Sequence, residues 1–252
     1  MGQKSSLVVI GNEILSGRTQ DANINWTGQQ MAKHGVPLSE VRVVPDIEDK
    51  IVEAVNELRA EYDYVFTTGG IGPTHDDITA ASVAKAFDLP FEKNEEAYRV
   101  LLDYYGQENL TKARASMVMM PRGAVLVDNP VSGAPGFRIE NVYVMAGVPS
   151  IMQAMLEHVI VDITPGEPIL TNTVGCDLME SVLAEKLGVV QERYESVDIG
   201  SYPSYRGGIS NVSVVLRGTD KEAIANATRE VFQAVEELGG NAQELGFQVN
   251  LD

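Results

Sequence analysis

The chain of 252 residues is long enough for one large α/β domain, or a medium domain followed by a smaller one. With 44% apolar and 22% charged residues it is an ordinary globular sequence, which excludes a disordered, collagen-like or coiled-coil chain. Nineteen basic residues against 36 acidic ones give a net charge of -17, a field that repels polyphosphate backbones and argues against a nucleic-acid partner. A small nucleotide is not excluded by that field, because backbone dipoles or a divalent cation can make one site locally positive.

The lone cysteine, Cys176, excludes an intramolecular disulfide and a Cys-based zinc site, and reads as a small buried hydrophobe. Residues 1 to 6 are polar and the apolar run behind them is short, so no signal peptide is expected. No apolar run approaches the roughly 20 residues that cross a bilayer. The expectation is a cytoplasmic protein that does not enter membranes.

In chain order, residues 6 to 11 form a short apolar run ending in glycine, the pattern of a buried parallel strand. A polar loop covers 12 to 21, and 22 to 34 reads as a helix closed by Gly35. A second strand is expected over 36 to 45. The spacing of Ile51, Val52, Val55 and Leu58 predicts a helix. A third strand over 62 to 67 leads into a glycine-rich loop and a helix from about 75 to 88. This alternation argues for a parallel sheet with right-handed crossovers. Helices over 95 to 105 and 110 to 119, a strand over 124 to 127, a hairpin of 137 to 139 with 142 to 145, and a helix around Met152 to Val159 complete the first part. The methionines at 117, 119 and 120 read as core filling.

Ile163-Thr164-Pro165-Gly166-Glu167-Pro168 is rich in turn residues and marks a boundary, giving domains of 1–165 and 166–252. The second part reads as strand 169–174, helix 178–187, strand 193–199, strand 211–217, helix 221–238 and a terminal strand over 247–250. That β-α-β-β-α-β order is a ferredoxin-like split unit. Tyr202-Pro203 and Arg206-Gly207-Gly208 read either as a plain turn or as a loop over a neighbouring subunit's site.

The chemistry centres on Thr67-Thr68-Gly69-Gly70-Ile71-Gly72-Pro73-Thr74-His75-Asp76-Asp77, between a strand and a helix. Gly69, Gly70 and Gly72 allow a sharp turn, and their amides with the helix start behind them suit a phosphate. Thr68 and Pro73 flank the turn. Thr74 is placed as the helix cap, with Asp77 three residues on and Asp76 in the first helical turn. Two carboxylates there repel a phosphate unless a divalent cation binds both, so Asp76 and Asp77 are the catalytic and metal candidates. Alternatively the pair only complements the helix dipole.

Gly11, Asn12 and Glu13 also follow a strand, and Glu13 is placed within reach of the same metal. Asn23 either contacts a sugar or base, or caps its helix. Gly133 and Gly136 lie in a Gly- and Pro-rich stretch that is either a shaped binding loop or a surface turn. Gly147, Pro149 and Ser150 join a strand to a helix, with Pro149 suited to the first turn. His34 and His158 read as ordinary packing or surface residues, while His75, which adjoins Asp76, is either a ligand contact or an ordinary surface residue. Neither a G-x-G-x-x-G nor a P-loop signature is present, which disfavours a dehydrogenase or a P-loop ATPase.

The motifs TTGGIGPTHDDIT, GNEILSGRTQDAN, NPVSGAPGF and AGVPS together resemble the molybdopterin-binding (MogA/MoaB-type) family. They are most similar to the branch at the N-terminus of competence/damage-inducible protein A (CinA), a module that also precedes the synthetase part of some FAD synthases. The resemblance covers about residues 5 to 165 and extends more weakly through Ile199 to Pro203. It implies a three-layer α/β/α domain with a mostly parallel sheet. It further implies a metal-dependent (Mg, Mn or Co) pyrophosphatase for ADP-ribose or a related FAD-like dinucleotide. In the cofactor-synthesis branch the implied role is instead molybdopterin binding or adenylylation, and a non-catalytic nucleotide-sensing module is a third possibility. A small nucleotide or pterin ligand and a homodimer or higher homo-oligomer are expected. The chain ends at Asp252, ahead of the amidase domain that many CinA proteins carry, so nicotinamide mononucleotide deamidation is not expected. Ala146 stands where the family usually has proline.

Overall fold

The computed structural model describes residues 2–206 and 209–249. The chain folds as two compact units, Met1–Gly166 and Glu167–Asp252. The first contains, in order, β1 (Ser5–Ile10), α1 (Asn12–Leu15), α2 (Asn23–Lys33), β2 (Leu38–Val44), α3 (Glu48–Glu61), β3 (Tyr64–Thr68), α4 (Thr79–Ala86), β4 (Phe91–Lys93), α5 (Glu95–Tyr105), α6 (Lys112–Ser116), β5 (Met119–Pro121), β6 (Val125–Val127), β7 (Gly136–Ile139), β8 (Val142–Met145) and α7 (Pro149–Ile160).

Its main sheet has six strands in the order β2-β1-β3-β8-β7-β6. The β1–β2, β1–β3 and β3–β8 pairs are parallel, whereas β7 runs antiparallel to β8 and to β6. All six residues of β1 are buried, as expected for a strand covered on both faces. On one face Val8, Ile10, Val65 and Val144 pack with Ile51, Val55 and Leu58 of α3, Val83 of α4 and Leu101 of α5. On the other, Leu7, Val9, Phe66 and Met145 pack with Met31 of α2 and Met152, Met155 and Leu156 of α7. The layers are therefore α/β/α.

The carboxyl ends of β1, β3 and β8 lie together because those strands are parallel. Because β7 is reversed, its first residue, Gly136, is at the same end. Four sequence-distant loops thus open on one edge of the sheet, the position where ligands bind in sheets of this kind.

In the second unit, β9 (Leu170–Cys176), α8 (Glu180–Arg193), β10 (Asp198–Arg206), β11 (Ile209–Gly218), α9 (Lys221–Glu237) and β12 (Ala242–Val249) form an antiparallel sheet in the order β10-β11-β9-β12. Val174, Val212, Val214 and Leu216 face Leu183, Leu187 and Val190 of α8 and Ile224 and Val231 of α9. Cys176 is buried in this core.

Several boundaries differ from expectation. The helix expected from about His75 begins only at Thr79, for reasons given below. The helix expected over 110–119 stops at Ser116, because Met119–Pro121 pairs with Phe91–Lys93 as a short second sheet. The expected strand at 193–199 starts at Asp198; residues up to Arg193 stay in α8, which continues to bury Leu187 and Val190. Residues 12–15 within the expected loop form one helical turn. The last strand starts at Ala242, and its expected end, Asn250, lies outside the described residues. Tyr202 and Pro203 lie inside β10 rather than in a turn, while Gly207 and Gly208 lie outside the described residues. Among the described residues no helix is long and apolar enough to cross a membrane.

Asn141, at the β7–β8 turn, locks the sheet to α3. Its Nδ2 donates to the carbonyls of Arg59 and Tyr62 at 3.0 and 2.8 Å, capping the end of that helix, and its own carbonyl accepts from Val65 at 2.9 Å. Asn141→Ala frees two helix-end carbonyls, and urea unfolding is expected to show a loss of about 1–2 kcal/mol with an unchanged m-value.

Candidate functional site

The turn after β3 sets the geometry. Gly69 has φ 102° and Gly70 φ 68°, both in the left-handed region. A Cβ on Gly69 would collide with the carbonyl oxygen of Ile10, so β1 and the turn approach as closely as backbone allows. Gly147, from the loop after β8, presses on the same spot; its Cβ would lie 3.1 Å from the Gly69 Cα. The Gly69 amide was expected to cradle a phosphate. It donates instead to the Met145 carbonyl at 3.2 Å, so Gly69 supplies conformation rather than a donor to ligand.

The chain then returns to the sheet. The Thr79 amide donates to the Gly70 carbonyl at 3.0 Å, and its hydroxyl donates to the Gly69 carbonyl at 2.9 Å. These bonds fix where α4 starts. They leave 71–78 as a loop standing outside the sheet end, with Ile78 as the residue before the helix. Thr74 therefore does not cap the helix, and Asp76 is not in its first turn. The capping pattern of Thr74 and Asp77 closes a local turn instead. The Asp77 carboxylate accepts from the Thr74 amide at 2.8 Å, and the Asp77 amide donates to the Thr74 carbonyl at 3.3 Å.

Both carboxylates converge on one hydroxyl. Thr74 Oγ1 lies 2.5 Å from Asp76 Oδ1 and 2.5 Å from Asp77 Oδ2. A hydroxyl has one proton, so it donates to only one of them at a time. The hydrogen bond from Thr74, and then the residue's own amide, hold the Asp76 carboxyl below its ordinary 3.8, so it is ionised at neutral pH. Gly72 lies under this turn, and a Cβ there would sit 2.7 Å from Asp77 Oδ2. His75 and Pro73 are exposed beside it.

The remaining candidates come from the loops after β1 and β8, the loop before β7 and the start of α2. Gly11 is buried at the end of β1 and its amide donates to the Val44 carbonyl at 3.1 Å. Asn12 is held by Asp46, whose carboxylate accepts the Asn12 amide at 2.8 Å. The Glu13 carboxylate folds back against Gly11. Among the described residues no three His, Cys, Asp or Glu side chains form a cluster fit for a metal, so Glu13 is not gathered with Asp76 and Asp77. The hard oxygens of Asp76, Asp77 and Thr74 fit a hard divalent cation, as a donor set without Glu13.

Asn23 does not cap its helix: it is the first residue of α2, with Ala22 before it. It is 3% exposed; its Nδ2 donates to the Gly147 carbonyl at 2.9 Å, and its Oδ1 has no partner. The Thr68 hydroxyl at the end of β3 is also buried without a partner. Such buried atoms are costly unless another molecule satisfies them. The loop before β7 is shaped by Asn129, whose side chain binds the Ser132 hydroxyl, the Ala134 carbonyl and the amides of Val131 and Ser132. Gly133 packs under the Tyr104 ring and Gly136 against the Val144 carbonyl. Pro149 opens α7 as expected, with Ser150 exposed after it. His34 and His158 bond to the carbonyls of Ile163 and Ala154, as structural residues do.

A cleft of about 200 Å³ opens beside the acidic turn, bounded by Gly70, Gly72, Thr74 and Asp77 on one side and by Phe91, Met117 and Met119 on another; Gly11, Asn12, Glu13, Asn23, Gly147, Pro149 and Ser150 do not line it. Asp46 and this apolar wall were not singled out from sequence, and Asn129 was read only as the start of the Gly- and Pro-rich stretch. The wall comes from β4, α6 and β5, which carry no motif.

Gly69→Ala places a Cβ against the Ile10 carbonyl at a left-handed φ. Chemical denaturation is expected to show a loss of about 2–4 kcal/mol.

Residues 6–169 match the family described as "Probable molybdopterin binding domain", and residues 168–241 match "FAD synthase, middle domain". A protein of Archaeoglobus fulgidus is 33% identical over 89% of this chain and 94% of its own length. The Pyrobaculum aerophilum protein PAE0875 is 32% identical over 97% of this chain and 80% of its own. The crystal structure of CinA from Thermoplasma acidophilum, described as of unknown function, matches 64% of this chain and 97% of its own, with 34% identity and a TM-score of 0.60. With well over half of its length, residues 6–169, inside the first family match, the chain belongs to the molybdopterin-binding domain family.

Proposed function

We propose that this chain is a metal-dependent pyrophosphatase acting on ADP-ribose or a related FAD-like dinucleotide. The observation that carries this reading is the convergence of Asp76 and Asp77 on Thr74, at the rim of a cleft that the Gly70–Gly72 turn also lines. Two carboxylates at that spacing repel each other and any phosphate, and a hard cation between them removes both repulsions. The match of residues 168–241 to a FAD synthase domain supports a dinucleotide over a free pterin.

Asp76 and Asp77 would hold Mg²⁺, Mn²⁺ or Co²⁺, with Thr74 fixing their rotamers. The cation, when bound, polarises a phosphoryl oxygen. The backbone at Gly70 to Gly72 lets the pyrophosphate approach closely. Asn23 Oδ1 and the Thr68 hydroxyl, both unpartnered, would take hydrogen bonds from the ligand at the sheet end.

A second reading, molybdopterin binding or adenylylation, is favoured by the match of residues 6–169. Copurified pterin fluorescence with no dinucleotide hydrolysis would select it.

The purified chain is expected to hydrolyse ADP-ribose or FAD with Mg²⁺, Mn²⁺ or Co²⁺ and to lose the activity with a chelator. Asp76→Ala and Asp77→Ala should each lower kcat/KM by about 100- to 1,000-fold with an unchanged Tm. No turnover by the folded wild-type chain overturns the hydrolase. Tight ADP-ribose binding that Asp76→Ala leaves intact would identify a nucleotide sensor.

We also propose a homo-oligomer assembled through the second unit. Met179, just before α8, and Val182 and Val189 within it are exposed, as is Tyr202 on the edge strand β10. Light scattering is expected to give a mass of at least a dimer, and Val182→Glu with Val189→Glu should shift it toward the monomer.

A further inference from the structure

The cleft beside the acidic turn has a wall that phosphate chemistry does not use. Ile71, Ile78, Ala80 and Ala81 line it from the loop and α4; Phe91 lines it from β4, Met117 from just after α6 and Met119 from β5. Met120 is buried in the core, whereas Met117 and Met119 remain half-buried at the cleft. Phe91 is 42% exposed at the same place. A single exposed apolar side chain is ordinary. Here an aromatic ring and two thioethers face a common cavity that folding leaves open.

We propose that this wall is the subsite for the planar heterocyclic ring of the phosphate-bearing ligand, with Phe91, Met117 and Met119 as the residues that grip the ring. The inference rests on the phosphate reading of Gly70–Gly72 and Asp76–Asp77. The volume of about 200 Å³ suits one fused ring system and is too small for a whole dinucleotide. Phe91 offers a stacking face, and the thioethers make sulfur–aromatic contacts with a ring between them. Ser116, also on the cleft, donates its proton to the Ala113 carbonyl at 2.7 Å, which leaves its lone pairs to accept from a ring amine or imide N–H. Continuity fixes polarity: the ring lies toward β4 and β5, and the phosphates lie toward the glycine turn.

Three kinds of probe separate the two halves: adenosine and riboflavin carry a ring without phosphate, inorganic pyrophosphate carries phosphate without a ring, and ADP-ribose and FAD carry both. Affinities are measured by calorimetry with Mg²⁺ on the full chain, for wild type, Phe91→Ala, Met117→Ala and Phe91→Trp. The two alanine variants are expected to weaken ADP-ribose or FAD about 5- to 30-fold and leave pyrophosphate unchanged, while Phe91→Trp retains wild-type affinity. Phe91 is exposed enough for its alanine variant to fold if Met117→Ala does not. Unchanged affinity for ADP-ribose and FAD in Phe91→Ala overturns the ring subsite and leaves the phosphate reading standing. If pyrophosphate fails to bind while riboflavin or adenosine binds and Phe91→Ala weakens it, the phosphate reading falls and the subsite stands. If no probe binds, both fall.

Discussion

The contact between Gly69 and the Ile10 carbonyl constrains the first unit more than any other. It brings the ends of β1 and β3 together with no side chain between them. The Gly69 amide reaches across to β8 at Met145, and Gly147 closes over the same point. Three parallel strands are thereby joined at their carboxyl ends by backbone alone. The carbonyls of Gly69 and Gly70, held in place there, are the ones to which Thr79 returns at the start of α4. An α/β sheet leaves its binding edge open at this end, and in this chain a cleft of about 200 Å³ opens beside the turn.

The acidic turn is a second, local constraint. Thr74 is oriented by its amide bond to Asp77 and then meets two carboxylates with one proton to give. That arrangement is electrostatically incomplete, unlike the surface ion pairs elsewhere in the molecule. Glu92 with Arg122, or Lys186 with Glu237, are neutralised locally and exposed, and contribute little to stability. Among the described residues neither Asp76 nor Asp77 forms an ion pair with a lysine or arginine, and only the neighbouring His75 acts on Asp76 electrostatically.

The sheet was readable because its strands are continuous apolar runs and its helices keep a regular period. Val8 to Ile10 and Val142 to Met145 have no other physical reading than burial on both faces. The second unit was readable from element order alone, and its sheet order agrees with the split β-α-β plan. The glycine turn and acidic pair were legible as chemistry, but their placement was not. Sequence spacing made Thr74 a helix cap, and only the return of Thr79 to Gly69 and Gly70 shows that the helix starts later. The methionines marked core correctly for Met120, which is buried, and for Met117, which packs against the core, but gave no sign that these two and Met119 also line the cleft, since a thioether has the same pattern in either place. Glu13 seemed close to the metal candidates because strand ends converge, yet its side chain folds back on its own loop.

The seat of Asp77 over Gly72 has one more consequence. The space that this glycine keeps clear is already taken by an anion belonging to the chain. A bare phosphate or sulfate arriving at the turn meets a tethered competitor of its own sign, present at an effective concentration no free ion reaches in solution. Admission then depends on charge before shape. Simple anions are turned away, and under the proposed function a ligand would enter on the strength of a cation that it shares with the turn.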